Sequence, residues 1–150
     1  MNNKAHKTAI ARKTLSVPMK YLNGKGLLKG RILEFGCGKG FDADSLNIEG
    51  YDPFHRPEKP EGKFNTVVCN YVLNVVTDDQ VHSVLKNIHD YLVVGGTAYI
   101  TVRRDIKKEG WTKIGTYQVN RELPFEVIRE RKNAYIIYKV KKDMLVCEED

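Results

Sequence analysis

The chain has no apolar run near the ~20 residues that a membrane-spanning helix requires, so no segment reads as one. Its opening stretch is polar and basic, without the apolar core of a secretory signal, and a cytoplasmic location is the expectation. Cysteine is scarce: Cys37, Cys69 and Cys147 are odd in number and show no Cys-x-x-Cys spacing. This argues against a disulfide framework and against a structural zinc site. His6, His55, His82 and His89 form no ligand pattern with the cysteines, so no metal is expected. Internal repeats and low-complexity linkers are also missing. Acidic residues are absent from the first 33 positions, where Lys4, Lys7, Arg12, Lys13, Lys20, Lys25, Lys29 and Arg31 all fall.

With 150 residues the chain suits one domain, long enough to bury ~70% of its unfolded surface. A basic, helical N-terminal segment (1–30), a core (31–140) and a tail (141–150) are the expected parts. The net charge is +6, and a second basic cluster, Arg103, Arg104, Lys107 and Lys108, follows a predicted strand. Such runs are the footprint of a polyanion binder, but solvated surface looks the same.

Hydrophobic periodicity gives the order of elements. Ser16–Leu22 reads as a short helix with Ser16 as cap and Pro18 in its first turn. Arg31–Phe35 and Ile48–Asp52 read as strands, with a helix of at most two turns over 41–47 between them. The 12 residues separating the strands are about the shortest parallel crossover. Pro53, Pro57 and Pro60 mark a loop. Thr66–Asn70 is a buried strand by its apolar run. Val81, Val84, Leu85, Ile88 and Leu92 form one helical face, opened by a Thr77/Gln80 capping box and stopped by Gly95-Gly96. Thr97–Arg103 is a further strand. Residues 104–123 give no clear pattern, and 125–131 with 134–140 alternate as a hairpin around Lys132-Asn133. The sum is an α/β fold with a mostly parallel sheet and a C-terminal antiparallel hairpin.

The segment with most chemical content is Glu34-Phe-Gly-Cys-Gly-Lys-Gly40, at the end of the first strand. Glycines let the backbone turn and approach a ligand without a Cβ in the way. The third glycine comes one residue too early for the dinucleotide fingerprint, and the Gly-Lys-Ser/Thr end of a P-loop is missing. The pattern resembles motif I of class I, Rossmann-like S-adenosylmethionine-dependent methyltransferases. Asp52, in Gly50-Tyr-Asp-Pro53, stands where that family places its ribose-binding acid. A carboxylate can accept from both ribose hydroxyls; an ordinary turn residue before Pro53 is the other reading. Phe64–Val76 resembles motif IV, and Leu92-Val-Val-Gly-Gly96 resembles the segment ahead of the fifth strand. The resemblance implies S-adenosylmethionine as cofactor, S-adenosylhomocysteine as product, and cofactor contacts from Glu34, Phe35, Gly36, Cys37, Gly38, Gly40, Asp52, Pro53 and Asn70. More narrowly, Thr8–Pro18, Phe35–Gly40, Gly50–Pro53 and Gly115–Gln118 resemble a methyltransferase family associated with DNA phosphorothioation systems.

The chain departs from the family in places. The stretch from Asp52 to Asn65 has no room for the usual helix, strand and helix, so the third strand is expected to be missing, with adenine held by the proline loop or backbone groups. Asn65 replaces an aspartate common at the start of the fourth strand. Asn70 and Tyr71 are the candidate catalytic residues by position, although the Asn-Pro-Pro-aromatic motif of amino-methylating DNA enzymes is not met. Tyr71 as a plain wall of the cofactor pocket is the alternative. Arg12, Lys13, Tyr21, Trp111, Tyr117 and Gln118 are the candidate acceptor-binding residues, since basic and aromatic groups together suit phosphate contact and base stacking. Trp111 and Tyr117 packing under a loop is equally consistent. Three functions follow: a methyltransferase for a nucleic acid or nucleotide, reached through the basic N-terminal segment; one for a small molecule or protein side chain; or a cofactor-binding partner without catalysis.

Overall fold

The computed structural model describes residues 3–9 and 12–143. Cys147 and the acidic tail after it, like Ile10 and Ala11 of the narrower motif, lie outside them. After a 3-10 turn at Ala5–Thr8 the elements are α1 (Val17–Gly24), β1 (Ile32–Phe35), α2 (Phe41–Leu46), β2 (Glu49–Tyr51), β3 (Phe64–Asn70), α3 (Asp78–Tyr91) and β4 (Leu92–Arg103). Short strands β5 (Gly110–Trp111) and β6 (Tyr117–Gln118) follow, then β7 (Glu126–Arg131) and β8 (Tyr135–Lys141).

A six-stranded sheet runs in the order β2-β1-β3-β4-β8-β7. The first four strands are parallel, and β8 and β7 add on antiparallel. The sheet ends at β2, and no strand forms between Asp52 and Lys63 beyond a single bridge of Asp52 to Arg56. This is the α/β architecture expected, with the third strand missing.

Strand residues alternate between two buried faces. Leu33, Phe35, Val67, Cys69, Ile100 and Ile136 pack on one side, where Val81, Val84, Leu85 and Ile88 of α3 cover them. Val68, Tyr99, Tyr135 and Ile137 face the other side, covered by Met19 and Leu22 of α1 and by Leu46 beyond. Burial on both faces explains why β3 reads as a continuous apolar run.

The Thr77/Gln80 capping box forms, with Gln80 Oε1 accepting the Thr77 N–H at 2.9 Å. Gly95-Gly96 does not stop the helix. α3 ends at Tyr91, and Leu92 already pairs with Phe64. The ladder claims the chain first, and the two glycines lie inside β4. There Gly95 N–H donates to Lys142 O at 2.7 Å, and Lys142 N–H returns a bond to Gly96 O at 2.9 Å. The unread stretch 104–123 contains the β5–β6 hairpin.

Ser16 is the N-cap of α1 by position, but its side chain makes no capping bond. Its hydroxyl donates to Asp42 Oδ2 at 2.7 Å and its N–H to Oδ1 at 2.9 Å. Asp42 is buried in the first turn of α2, and a buried carboxylate needs donors. Asn65 works at the opposite end of the sheet, accepting the Arg31 N–H at 2.8 Å where β1 begins. Asp42→Ala strands two buried donors. It is expected to cost about 2–4 kcal/mol in urea denaturation, whereas an effect within about 0.5 kcal/mol would mean water replaces the carboxylate.

Candidate active site

Ligands in open α/β sheets bind at the carboxyl ends of the parallel strands. A cleft of about 1220 Å³ opens there, lined by the ends of β1, β2, β3 and β4 and by the N-terminal segment. That volume is at or above the ~300–1,000 Å³ usual for a pocket that holds one small molecule.

The glycine loop forms one wall. Gly36 takes φ 79°, and a Cβ there would sit 2.4 Å from Val72 Cγ2. The N–H groups of Gly36 and Cys37 donate to Tyr51 O at 2.7 and 2.9 Å, tying the loop to the end of β2. Gly40 takes φ 89° beneath the Arg56 guanidinium, which leaves no space for a side chain. Arg56 donates to Lys39 O at 3.0 Å and to both oxygens of Asp44 at 2.9 and 2.6 Å. Sequence reasoning missed Arg56, because it acts only once the proline loop folds back.

Asp52 directly follows β2, and its carboxylate accepts three backbone N–H groups. Gly38 donates to Oδ1 at 3.1 Å; Phe54 and His55 donate to Oδ2 at 3.1 and 2.8 Å. The residue is therefore a turn former, and it also fixes the glycine loop and lines the cleft.

Glu34 is only 4% exposed, and its Oε1 has no partner. Burial and the neighbouring Asp42 charge push its carboxyl up to about 8, against the opposing pull of Arg12 and Arg56. The Cys37 thiol is pushed up to about 12, mainly by burial, and stays protonated at neutral pH. Cys69 is fully buried and also raised. Neither is a ready nucleophile.

The end of β3 forms the opposite wall. Asn70 leaves both its amide nitrogen and oxygen buried without a partner. Tyr71 has φ 63°, uncommon for a non-glycine residue, while its N–H donates to Thr101 O at 2.8 Å. Burial raises its phenol, opposed by Arg12 and Arg103. Asn74 is also buried: its backbone O accepts from Val119 N–H at 2.9 Å, and its Oδ1 from Arg103 N–H at 3.4 Å. Arg121 clamps this loop by donating to Leu73 O, Val76 O and Asp78 at 2.8, 2.9 and 3.0 Å.

The N-terminal segment lies across the opening. Asn3 Nδ2 donates to Val75 O at 2.7 Å, Lys4 N–H donates to Gly115 O at 2.9 Å, and His6 stacks on Phe54 at 4.0 Å.

All the residues expected to hold a cofactor line the cleft: Glu34, Phe35, Gly36, Cys37, Gly38, Gly40, Asp52, Pro53 and Asn70. Of the acceptor candidates, Arg12 and Gln118 line it; Lys13, Tyr21, Trp111 and Tyr117 do not. Tyr21 lies under Arg129 at 4.5 Å, and Trp111 meets Tyr117 edge-on at 5.5 Å outside the cleft. The second basic cluster is partly neutralised, since Arg103 pairs with Asp105 and Arg104 with Glu122.

A methyltransferase-domain family model matches residues 7–132. No curated protein matches in sequence. Solved structures match in fold. The Burkholderia thailandensis 1,6-didemethyltoxoflavin-N1-methyltransferase, with bound 1,6-didemethyltoxoflavin and S-adenosylhomocysteine, gives a TM-score of 0.60 at 15% identity, over 83% of this chain and 76% of that one. The CcbJ methyltransferase from Streptomyces caelestis gives 0.58 at 11% identity, over 93% and 95%. A structure from echinomycin biosynthesis, on converting a disulfide bond into a thioacetal group, gives 0.51 at 21% identity, and there the match spans 59% of this chain and 49% of that one. With the family model running from ahead of α1 into the turn between β7 and β8, the chain belongs to the methyltransferase-domain family.

Proposed function

We propose that this chain is an S-adenosylmethionine-dependent methyltransferase whose acceptor is a nucleic acid or a nucleotide. The observation that carries the cofactor reading is that three of the buried polar atoms without partners, Glu34 Oε1 and both amide atoms of Asn70, lie near the ends of β1 and β3. Leaving such groups unpaired is costly, and a ligand with an ammonium group and further polar groups relieves that cost. The glycine loop between them, with no side chain at Gly36, Gly38 or Gly40, lets a ligand lie against the backbone. The residues therefore fit the group.

When bound, S-adenosylmethionine supplies an electrophilic methyl carbon for in-line displacement and leaves as S-adenosylhomocysteine. Glu34 and the glycine loop hold the amino-acid end. Asp52 keeps acceptor capacity for a ribose hydroxyl beside its three backbone bonds. Asn70 and Tyr71 border the place where the acceptor meets the methyl group. Burial keeps the Tyr71 phenol protonated at neutral pH, so it orients the acceptor as a donor and does not act as a base. Alignment and exclusion of water then carry the rate.

Arg12 supports the acceptor class. It lines the cleft, influences both Glu34 and Tyr71, and has no carboxylate within ion-pair distance among the described residues. The narrower resemblance to the phosphorothioation-associated family favours the same class. A small-molecule acceptor is the second reading, favoured by the N-terminal segment that partly closes the cleft.

Two outcomes follow in calorimetric titration with S-adenosylhomocysteine. Wild type is expected to bind at micromolar Kd, and Asp52→Ala to bind at least about tenfold more weakly, or ~1.4 kcal/mol; equal affinities would remove Asp52 from the cofactor site. The second outcome concerns pH. Below about 8 the free Glu34 carboxyl holds a proton, which an ammonium must expel. Affinity should therefore rise with pH, by at most about tenfold per unit, and level off near 8. Glu34→Gln should flatten the profile, and an unchanged slope in that variant would assign the proton elsewhere.

A further inference from the structure

The β5–β6 hairpin has little to do with the core. It forms its own two-stranded sheet, closed by Thr112 N–H donating to Thr116 O at 2.7 Å and Gly115 N–H donating to Thr112 O at 3.1 Å. Its turn leaves Ile114 61% exposed, and its first strand leaves Trp111 41% exposed. Trp111 pairs across the strands with Tyr117, their rings 5.5 Å apart and inclined at 64°, and its remaining exposed surface is open to a ligand. Burying an indole usually stabilises a fold, and leaving the chain's single Trp outside the core suggests a surface task.

Most of the charge around it is positive. Lys107, Lys108 and Lys113 are exposed on or beside the hairpin, and none takes part in an ion pair among the described residues. The N-terminal segment adds more. Lys4 donates its N–H to Gly115 O at 2.9 Å, and its alkyl chain runs beside Gly115, where a Cβ would lie 3.2 Å from Lys4 Cδ. Lys7 is exposed one turn further on. Among the exposed carboxylates of 105–118, Asp105 is held by Arg103 and Glu109 accepts the Asn120 N–H at 2.8 Å. The far end of the hairpin leads into the cleft, because Gln118 lines it and Val119 N–H is bonded to Asn74 O at 2.9 Å.

We propose that the Gly110–Gln118 hairpin, with Lys4 laid against it and Lys7 following in the N-terminal segment, is a docking surface for single-stranded nucleic acid, with Trp111 stacking on a base and the lysines meeting phosphates. Stacking on an exposed aromatic needs an unpaired base, which is why the strand is single. A folded duplex offers only its backbone to such a flat surface. The inference rests on the nucleic-acid acceptor reading above, and it places the strand so that a neighbouring nucleotide reaches Asn70 and Tyr71.

Trp111 is also the probe. The test is titration of the full chain with a single-stranded DNA oligonucleotide of roughly 12 nucleotides, read by tryptophan fluorescence and by anisotropy of an end-labelled strand. The expected result is quenching of Trp111 that tracks anisotropy, with an affinity that falls as salt rises. The log–log slope should shrink by about 0.7 for each phosphate-contacting lysine changed to Gln among Lys107, Lys108 and Lys113. Trp111→Phe, a conservative change at an exposed site, should weaken binding several-fold. Heparin, a polyanion without bases, should compete without quenching. Oligonucleotide binding with an unperturbed Trp111 and unchanged lysine variants would overturn the surface while leaving a nucleic-acid acceptor standing. Equal quenching by heparin would overturn base stacking. No oligonucleotide binding by a protein that still binds S-adenosylhomocysteine would overturn both the surface and the nucleic-acid acceptor, and would leave the cofactor reading intact.

Discussion

Three backbone N–H groups converge on the carboxylate of Asp52, and the upper end of the sheet is organised by that convergence. No strand forms between Asp52 and Lys63 to brace the crossover after β2. One carboxylate does the bracing, gathering the glycine loop through Gly38 and the proline loop through Phe54 and His55. Arg56 completes the job from the other side by gripping Lys39 O and Asp44. Charged groups with several hydrogen bonds each hold what a strand and two helices would hold by packing. Such bonds are stronger than neutral ones, which lets a short loop be well defined.

The same economy appears around β3. The loop after it carries Tyr71 and Asn74 into the cleft, yet it is neither helix nor strand. Arg121 fixes it by donating to two of its carbonyls, and Asn74 bonds it to the chain beyond β6. The left-handed turn at Tyr71 is held from both sides and so can persist. Buried Glu34 stands at the centre, surrounded by groups that neither neutralise it fully nor bond its second oxygen. Its Oε1 is buried without a hydrogen-bond partner, whereas Asp52 and Asp42 nearby are both bonded.

Much of this was legible in the sequence, for physical reasons that differ by element. The face Val81, Val84, Leu85, Ile88 showed α3 because a buried helix must repeat every 3.6 residues. The glycine loop was legible because only glycine fits the turns at Gly36 and Gly40. The end of α3 was misread, since Gly95-Gly96 carries a stop signal that the ladder from Leu92 overrides. Ser16 carries a capping signal that Asp42 overrides, and that contact spans 26 positions. Arg56, Arg121 and Asn74 gave no signal at all. Each works largely through backbone carbonyls or amides that come near only after folding, and such partners leave no pattern in residue types. The cleft gathers Arg12 and Gln118 but not Lys13, Tyr21, Trp111 or Tyr117, because charge and aromaticity show in a sequence and facing does not.

A sheet that stops early exposes the rim of its last strand, and open rims invite pairing with other chains. β2 answers this with brevity, having only three residues. Just past its end the backbone turns and bonds to itself, Asp52 N–H to Arg56 O and Arg56 N–H to Asp52 O, both at 3.0 Å. The hydrogen-bonding groups that would extend the rim are thus spent within the chain. Pro53 contributes no donor of its own. At the base of the rim Glu49 is paired with Arg31, which sets a charge pair where a stacking neighbour would need a bare edge. The β2 edge of the sheet is therefore a poor template for pairing with another chain.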